Sequence, residues 1–325
     1  MKNLFGKLLG VRELPVFIAL VIVVIITGIA NPAFLTLSGA QDIMLGVSVV
    51  ATLAVAQTLV IVMKHIDLSV GSTIGFSAFL IGDAYSKGHD VWYCVGLALL
   101  TGLVVGALNG YLVAYLKLPS LVVTLSTLYI VRGVFNETAG GTTITEELVP
   151  REINALGLNS LSGISYLFVI AIGLMVIVGF VLRRIRQARD LYAIGSNLDA
   201  AGLVGIPVAR RVFFAFLATG AISGLAGIVL LARFNSAAAN SGSGLELSVV
   251  AACVVGGVAI AGGVGTVYGA VIGAILLQSI TMALGALGVP QFWQLAINGL
   301  LVIAAITLDK FLSSRVKTTS IMGSK

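Results

Sequence analysis

Long apolar runs separated by short polar connectors dominate the chain, at 14–29, 45–63, 69–84, 91–115, 121–136, 164–182, 212–231, 246–260, 265–284 and 292–308. A bilayer core about 30 Å thick needs roughly 20 apolar residues per helix, fewer where a helix is short or re-entrant. The pattern therefore predicts an all-α polytopic membrane protein of about ten transmembrane helices, forming a single domain over residues 1–325. The runs 69–84, 121–136 and 246–260 are the shortest and the richest in Gly, Ser and Thr, so full crossing is least secure there.

Composition makes the same demand. Hydrophobic residues reach 58% and charged residues only 10%, against roughly 45–50% and about 25% in soluble proteins. Such a chain cannot solvate its own surface in water, which excludes a disordered protein, a secreted disulfide scaffold and a nucleic-acid binder. The net charge of +6 is an address for loops. With the N-terminus placed in the cytoplasm, 15 of the 19 Lys and Arg residues fall inside, and Lys87, Arg132, Arg151 and Arg233 fall outside, the bias of the positive-inside rule. An even number of spans returns the C-terminus to the cytoplasm with Lys310, Arg315, Lys317 and Lys325. The expected location is a bacterial inner membrane. Lys2, Lys7 and Arg12 before the first apolar run also fit a signal peptide, but cleavage there would remove one member of the repeat described next.

Asp67-Leu68-Ser69-Val70 opens the third run and Glu246-Leu247-Ser248-Val249 the eighth, while Leu116-Lys117-Leu118-Pro119 and Leu287-Gly288-Val289-Pro290 join runs four to five and nine to ten. The echoes imply a five-span unit repeated over about 14–136 and 164–308. An odd number of crossings inverts the second copy, placing Asp67 and Glu246 on opposite sides of the membrane. Inverted repeats give one scaffold two near-equivalent conformations, which is a transporter's architecture. Asp67, Ser69, Glu246 and Ser248 read as helix-start residues favoured by the N-terminal dipole, or as gate residues.

Glycines at four-residue spacing, Gly102-Gly106-Gly110 and Gly265-Gly269-Gly273, predict close helix crossings. All 13 carboxylates can be placed in loops or near span ends, which argues against an ion-driven carrier, because such carriers commonly keep an intramembrane acid. The polar residues inside the runs are neutral: Gln57, Asn109, Thr124, Ser126, Gln278 and Asn298, with Thr58, Thr127, Ser223 and Ser279. As a set they suit a pathway for an uncharged, hydroxyl-rich solute; singly, each suits interhelical hydrogen bonding.

The largest cytoplasmic loop, 183–211, holds a candidate short helix. Ser196 or Asn197 caps it, it runs through Leu198 to about Val204, Gly205 ends it, and Pro207 prevents its continuation. Such a projection suits docking to a cytosolic motor. The chain itself carries no G-x-x-x-x-G-K-[ST] phosphate loop, no nucleophile–base pair and no metal-ligand cluster. Enzyme chemistry is not expected.

Three segments, Ile66-Asp67-Leu68-Ser69-Val70-Gly71-Ser72, then Ala193-Ile194-Gly195-Ser196-Asn197 with Ala200, Ala201, Gly205 and Ile206, then Val254-Val255-Gly256-Gly257 with Gly262, Gly263 and Gly265, resemble the membrane permeases of ATP-driven monosaccharide importers of the ribose, arabinose, xylose and rhamnose type. The resemblance spans about residues 14–310. It implies a second permease, identical or related, two ATPase subunits that bind ATP and Mg on the cytosolic face, and an extracytoplasmic sugar-binding protein. It also implies that Gly195, Ser196, Asn197, Ala200, Ala201, Gly205 and Ile206 form the coupling helix that meets the ATPase. Lys64-His65 stands where that family commonly has two small glycines, which leaves homodimer and heterodimer both open. The nearest alternative cargoes are branched-chain amino acids or urea; the alternative from another class is an ion-coupled carrier working alone.

Overall fold

The computed structural model describes residues 14–290 together with Trp293, Gln294, Ala296, Ile297, Gly299, Leu300, Ile303 and Thr307. Asn298, most of the tenth run (292–308), and the basic residues Lys2, Lys7, Arg12 and Lys310 to Lys325 lie outside the described residues. The structure is all-α apart from one two-residue hairpin. The helices are α1 (Leu14–Ala30), α2 (Leu37–Ile61), α3 (Val70–Ser86), α4 (Val91–Ala114), α5 (Ser120–Ala139), α6 (Arg151–Leu158), α7 (Tyr166–Arg184), α8 (Arg186–Ser196), α9 (Leu198–Leu203), α10 (Val208–Phe234), α11 (Leu245–Val255) and α12 (Val267–Ala286). The strands Ser160–Leu161 and Ile164–Ser165 pair between α6 and α7.

Among the described residues, five helices are long and apolar enough to cross a membrane: α2, α4, α7, α10 and α12. The sequence pattern is right about where helices lie and less right about what crosses. At 1.5 Å per residue, the 11 residues of α11 make about 16 Å, half of the roughly 30 Å core. The run 246–260 is thus a short helix followed by a break, not a span. The connector between α5 and α7 holds α6 and the hairpin. Within the loop 183–211, Arg186–Ser196 is also a helix.

Helix limits follow local chemistry. The α2 helix begins at Leu37 rather than at the apolar onset near 45, because the Thr36 hydroxyl caps it by accepting from Gly39 N–H at 3.2 Å. Asp90 does the same for α4, accepting from Trp92 and Tyr93 N–H at 2.8 and 3.0 Å.

The core centres on α2, buried from Gly46 to Ile61, and on the crossing of α4 with α10. There Gly102 faces the Gly220 carbonyl and the Gly224 amide, and Gly106 faces the Phe216 carbonyl. Any Cβ at Gly102 would strike backbone, so the two helices approach as closely as they do only because neither carries a side chain at the contact. The second glycine stripe is corrected by the structure. Gly269 and Gly273 of α12 pack on Gly256 and Ala252, but Gly265 sits in the preceding loop at φ +135° and shares no helix face with them.

Two breaks organise the interior. After α2 the chain turns at Val62–Lys64 and doubles back along the helix it has just left. The Gln57 carboxamide donates to the Asp67 carbonyl at 3.1 Å and accepts from the Asp67 N–H at 3.0 Å. After α11 a second turn, Gly256–Gly265, is closed by Val258 N–H to Cys253 O at 2.9 Å and Ala259 N–H to Val264 O at 3.0 Å. The two turns are joined by Gly263 N–H donating to Val62 O at 2.8 Å.

The starts of α3 and α11 meet. Gly71 lies against the Glu246 carboxylate and the Gly242 carbonyl, and Gly75 against the Ser241 carbonyl. The doubled-back segment carries the α3 start inward until it faces that of α11.

Candidate functional site

The neutral polar residues of the sequence analysis converge, but not around an open route. Asn109 of α4 donates to the Ser69 hydroxyl at 2.9 Å and accepts from the Thr127 hydroxyl of α5 at 2.7 Å. Ser69 in turn donates through both its hydroxyl and its N–H to Asp67 Oδ1, at 2.6 and 2.9 Å. Thr124 donates to the Ile66 carbonyl at 3.1 Å. With Gln57 on the Asp67 backbone, every donor of this set knits the doubled-back segment 65–69 to α2, α4 and α5. Gln57, Asp67, Ser69, Asn109, Thr124 and Thr127 are all buried. A buried polar group is costly unless it is hydrogen-bonded, and this network provides the bonds. In this structure the polar groups of Gln57, Asn109 and Thr124 thus tie the doubled-back segment to its neighbours.

Asp67 stands between helices, as the sequence predicts, and is only 1% exposed because its segment folds into the protein. Its place between helices does not put this carboxylate in solvent. Nor does Asp67 cap α3 directly; it holds Ser69, the residue before the helix.

The remaining candidates divide. Ser126 is exposed on α5, its hydroxyl bonded to Val122 O at 2.8 Å. Gln278 of α12 packs on Gly46 of α2. Glu246 lies in the first turn of α11 and accepts from Gly244 N–H at 3.2 Å through Oε1. Ser248 bonds the Gly244 carbonyl at 3.1 Å.

The short helix of the loop 183–211 has the local chemistry expected. Asn197 caps α9 by accepting from Ala200 N–H at 3.0 Å. Gly205, at φ +80°, lets Ile206 N–H return to Ala201 O at 3.1 Å, the closure that ends a helix in a left-handed residue. Ser196 is the last residue of α8, its hydroxyl bonded to Tyr192 O, so Asn197 rather than Ser196 is the cap. Ala201 is buried, while Leu203 and Val204 are 89% and 76% exposed, an apolar tip.

Sequence reasoning missed what fixes this element in place. The α8 helix buries Leu191, Ile194 and Gly195 and keeps its arginines outward. Asp190 accepts from Arg211 Nε of α10 at 2.8 Å. Gly195 lies on the Val62 carbonyl and on the Gly263 amide, Gly262 on Lys64 and on Gly195, and Gly263 on Ser196. The Tyr192 hydroxyl donates to Gly265 O at 3.0 Å; burial pushes its phenol up, so it remains a donor. The α8–α9 element thus touches both interior turns at once. The signal in the sequence was the helical spacing of Leu191, Ile194 and Gly195 opposite Arg186 and Arg189, visible only once the segment is read as a helix. No group of three His, Cys, Asp or Glu among the described residues is arranged to hold a metal ion.

Residues 39–306 match the family described as branched-chain amino acid transport system / permease component. The autoinducer 2 import system permease protein LsrC of Klebsiella pneumoniae is 37% identical over 302 residues, covering 93% of this chain and 87% of that protein. The L-arabinose ABC transporter permease protein AraH of Azospirillum brasilense is 34% identical over 280 residues, covering 86% of this chain and 82% of that protein. An LsrC protein of Escherichia coli is 34% identical over 298 residues, covering 92% of this chain and 86% of that protein. No solved structure matches the chain.

Proposed function

The chain belongs to this family of permease components, and on that premise we propose that it is the membrane-spanning subunit of an ATP-driven importer whose cargo is a neutral monosaccharide. The observation that carries the reading is the α8–α9 element, fastened to both interior turns by Gly195 on Val62, Gly263 on Ser196 and Tyr192 on Gly265. A rigid push on the exposed tip Leu203–Val204 has to move those turns, and with them α3 and α11, whose starts meet inside the protein. Partner ATPases binding ATP and Mg would supply the push at Ala200, Ala201 and Gly205. The permease makes and breaks no covalent bond.

An inverted repeat is supported by the opposed courses of the two short helices. From the meeting of Gly71 with Glu246, α3 leads to Gly82 beside Ile144, whereas α11 leads to the turn bonded to Val62. On this reading the α8–α9 end faces the cytosol of a bacterium across its inner membrane, both termini are cytosolic, and the opposite end receives ligand from an extracytoplasmic sugar-binding protein. A second permease, identical or related, completes the assembly.

The relatives named for autoinducer 2 and L-arabinose import favour sugar-like cargo; the family description keeps branched-chain amino acids as the second reading. The test is co-reconstitution with the cognate ATPase and binding protein in vesicles. Pentose uptake that requires ATP is expected, and uptake driven by a Na⁺ or H⁺ gradient without the ATPase would overturn it. Ala201→Asp is expected to abolish uptake while ligand capture by the binding protein persists.

A further inference from the structure

The α10 helix, 27 residues and about 40 Å long at 1.5 Å per residue, leads away from the α8–α9 element. At its far end the loop Asn235–Gly244 turns back toward the start of α11. Between that loop and the end of α5 lies a cavity of about 400 Å³, bounded by Arg132, Asn136, Thr142, Thr143, Asn240 and Ser243. Its size falls within the range of small-molecule sites.

The lining differs from that of the buried network in one respect: apart from Thr142, whose hydroxyl donates to Ala139 O at 2.6 Å, its neutral polar side chains are uncommitted. The side chains of Asn136, Thr143, Asn240 and Ser243 make no hydrogen bond to another described residue, and Asn136, Asn240 and Ser243 are exposed. Arg132 is anchored through a single nitrogen, Nη1, which donates to Ala239 O at 2.9 Å and to Ser241 O at 2.8 Å. Its other guanidinium nitrogens make no hydrogen bond among the described residues. The charge is answered nearby by Glu246, whose Oε2 is buried with no hydrogen-bond partner among the described residues. Free amide and hydroxyl groups beside an anchored guanidinium match the alternating donors and acceptors of vicinal hydroxyls. They match an apolar side chain poorly, since it would strand them unpaired. Along the same face of α5, at positions 126, 129, 133 and 136, Ser126, Tyr129 and Gly133 are exposed with Asn136, continuing a neutral polar strip from the cavity.

We propose that this cavity is a ligand subsite on the permease itself, taking a monosaccharide through Arg132, Asn136, Asn240 and Ser243; the assignment of sugar as ligand rests on the function proposed above. Because Arg132 holds the very loop that carries the start of α11, occupancy there acts on the helix whose far turn the α8–α9 element grips.

Cysteine protection tests this directly. The native Cys94 and Cys253 are both buried, so background labelling is low. Ser243→Cys and Asn240→Cys are made in the complete complex in nanodiscs, with Ser38→Cys, exposed on α2, as the control. Labelling by a charged maleimide is followed with D-ribose, L-arabinose, D-xylose or L-leucine present, and uptake of each solute is measured in vesicles with the unsubstituted complex. The expected result is at least fivefold slower labelling at positions 240 and 243, but not 38, by whichever pentose is taken up. Measured pentose uptake with unslowed labelling overturns the subsite and leaves the importer reading standing. Uptake of, and protection by, leucine alone overturns both. Equal slowing at position 38 also overturns the subsite, as a global change. In an independent arm, Asn136→Ala is expected to raise at least threefold the pentose concentration that gives half-maximal uptake; an unchanged concentration dependence counts against the proposal.

Discussion

Two polar regions of this protein contain the same kinds of side chain and use them oppositely. Around Asn109, amides and hydroxyls from α2, α4 and α5 are spent on one another and on the doubled-back segment 65–69. Around Asn240, the side chains of Asn136, Thr143, Asn240 and Ser243, of comparable chemistry, border a cavity and hold no other described residue. A polar residue inside an apolar run is therefore not in itself a pathway residue. Where its donors and acceptors go decides whether it is a fastening or a receptor.

The comparison breaks first at Asn109. Asn109→Leu removes two buried bonds, while the Ser69 hydroxyl keeps Asp67 Oδ1 and the Thr127 hydroxyl keeps Val123 O at 3.0 Å. At roughly 1–2 kcal/mol for each transmembrane side-chain bond at the strong end, the loss should be about 2–4 kcal/mol, read as a large drop in denaturation midpoint in detergent. A change below about 0.5 kcal/mol, typical of surface substitutions, would mean that the network is not structural and that the contrast is false.

Gly195→Ala comes next. The added methyl group meets the Val62 carbonyl and the Gly263 amide, both backbone, so the turns or α8 must shift, at about 1–3 kcal/mol for overpacking. Uptake should fall further than stability, and vesicle assays beside thermal melts would separate the two. Uptake and stability falling in step would reduce α8 to ordinary packing.

Tyr192→Phe is milder. It deletes one hydrogen bond to Gly265 O, about 0.5–1.5 kcal/mol, and should loosen the grip on the second turn, so that ATP is hydrolysed with less uptake per cycle. A wild-type ratio of uptake to hydrolysis would argue against mechanical linkage through Gly265.

Smallest in stability are Asn240→Ala and Ser243→Ala at the cavity, expected within about 0.5 kcal/mol of wild type yet clearly reduced in pentose uptake. A marked loss of stability there would make the cavity residues fastenings too and erase the distinction.

Much of the helix inventory was legible because burial in lipid imposes a length and a composition. Caps at Asn197 and Gly205 were legible because their chemistry is local. The burial of Asp67 was not legible, for the opposite reason. Whether a residue between helices meets water or protein depends on where the chain goes next, and the turn at Val62–Lys64 sends it inward. Arg132 carried no motif at all, since its partners lie more than a hundred residues away.

By itself, then, the sequence determined that the chain lives in a membrane, that its helices pack closely through glycine, and that it carries a capped helix at 198–203, since each of these follows from residue chemistry and spacing over a few turns. Only the tertiary structure decided that Gln57, Asn109 and Thr124 fasten the segment 65–69, that the starts of α3 and α11 meet, and that α8 grips both interior turns. Hydrogen-bond partners distant along the chain are selected by packing, and no local pattern encodes which of two equally polar clusters is left with its donors free.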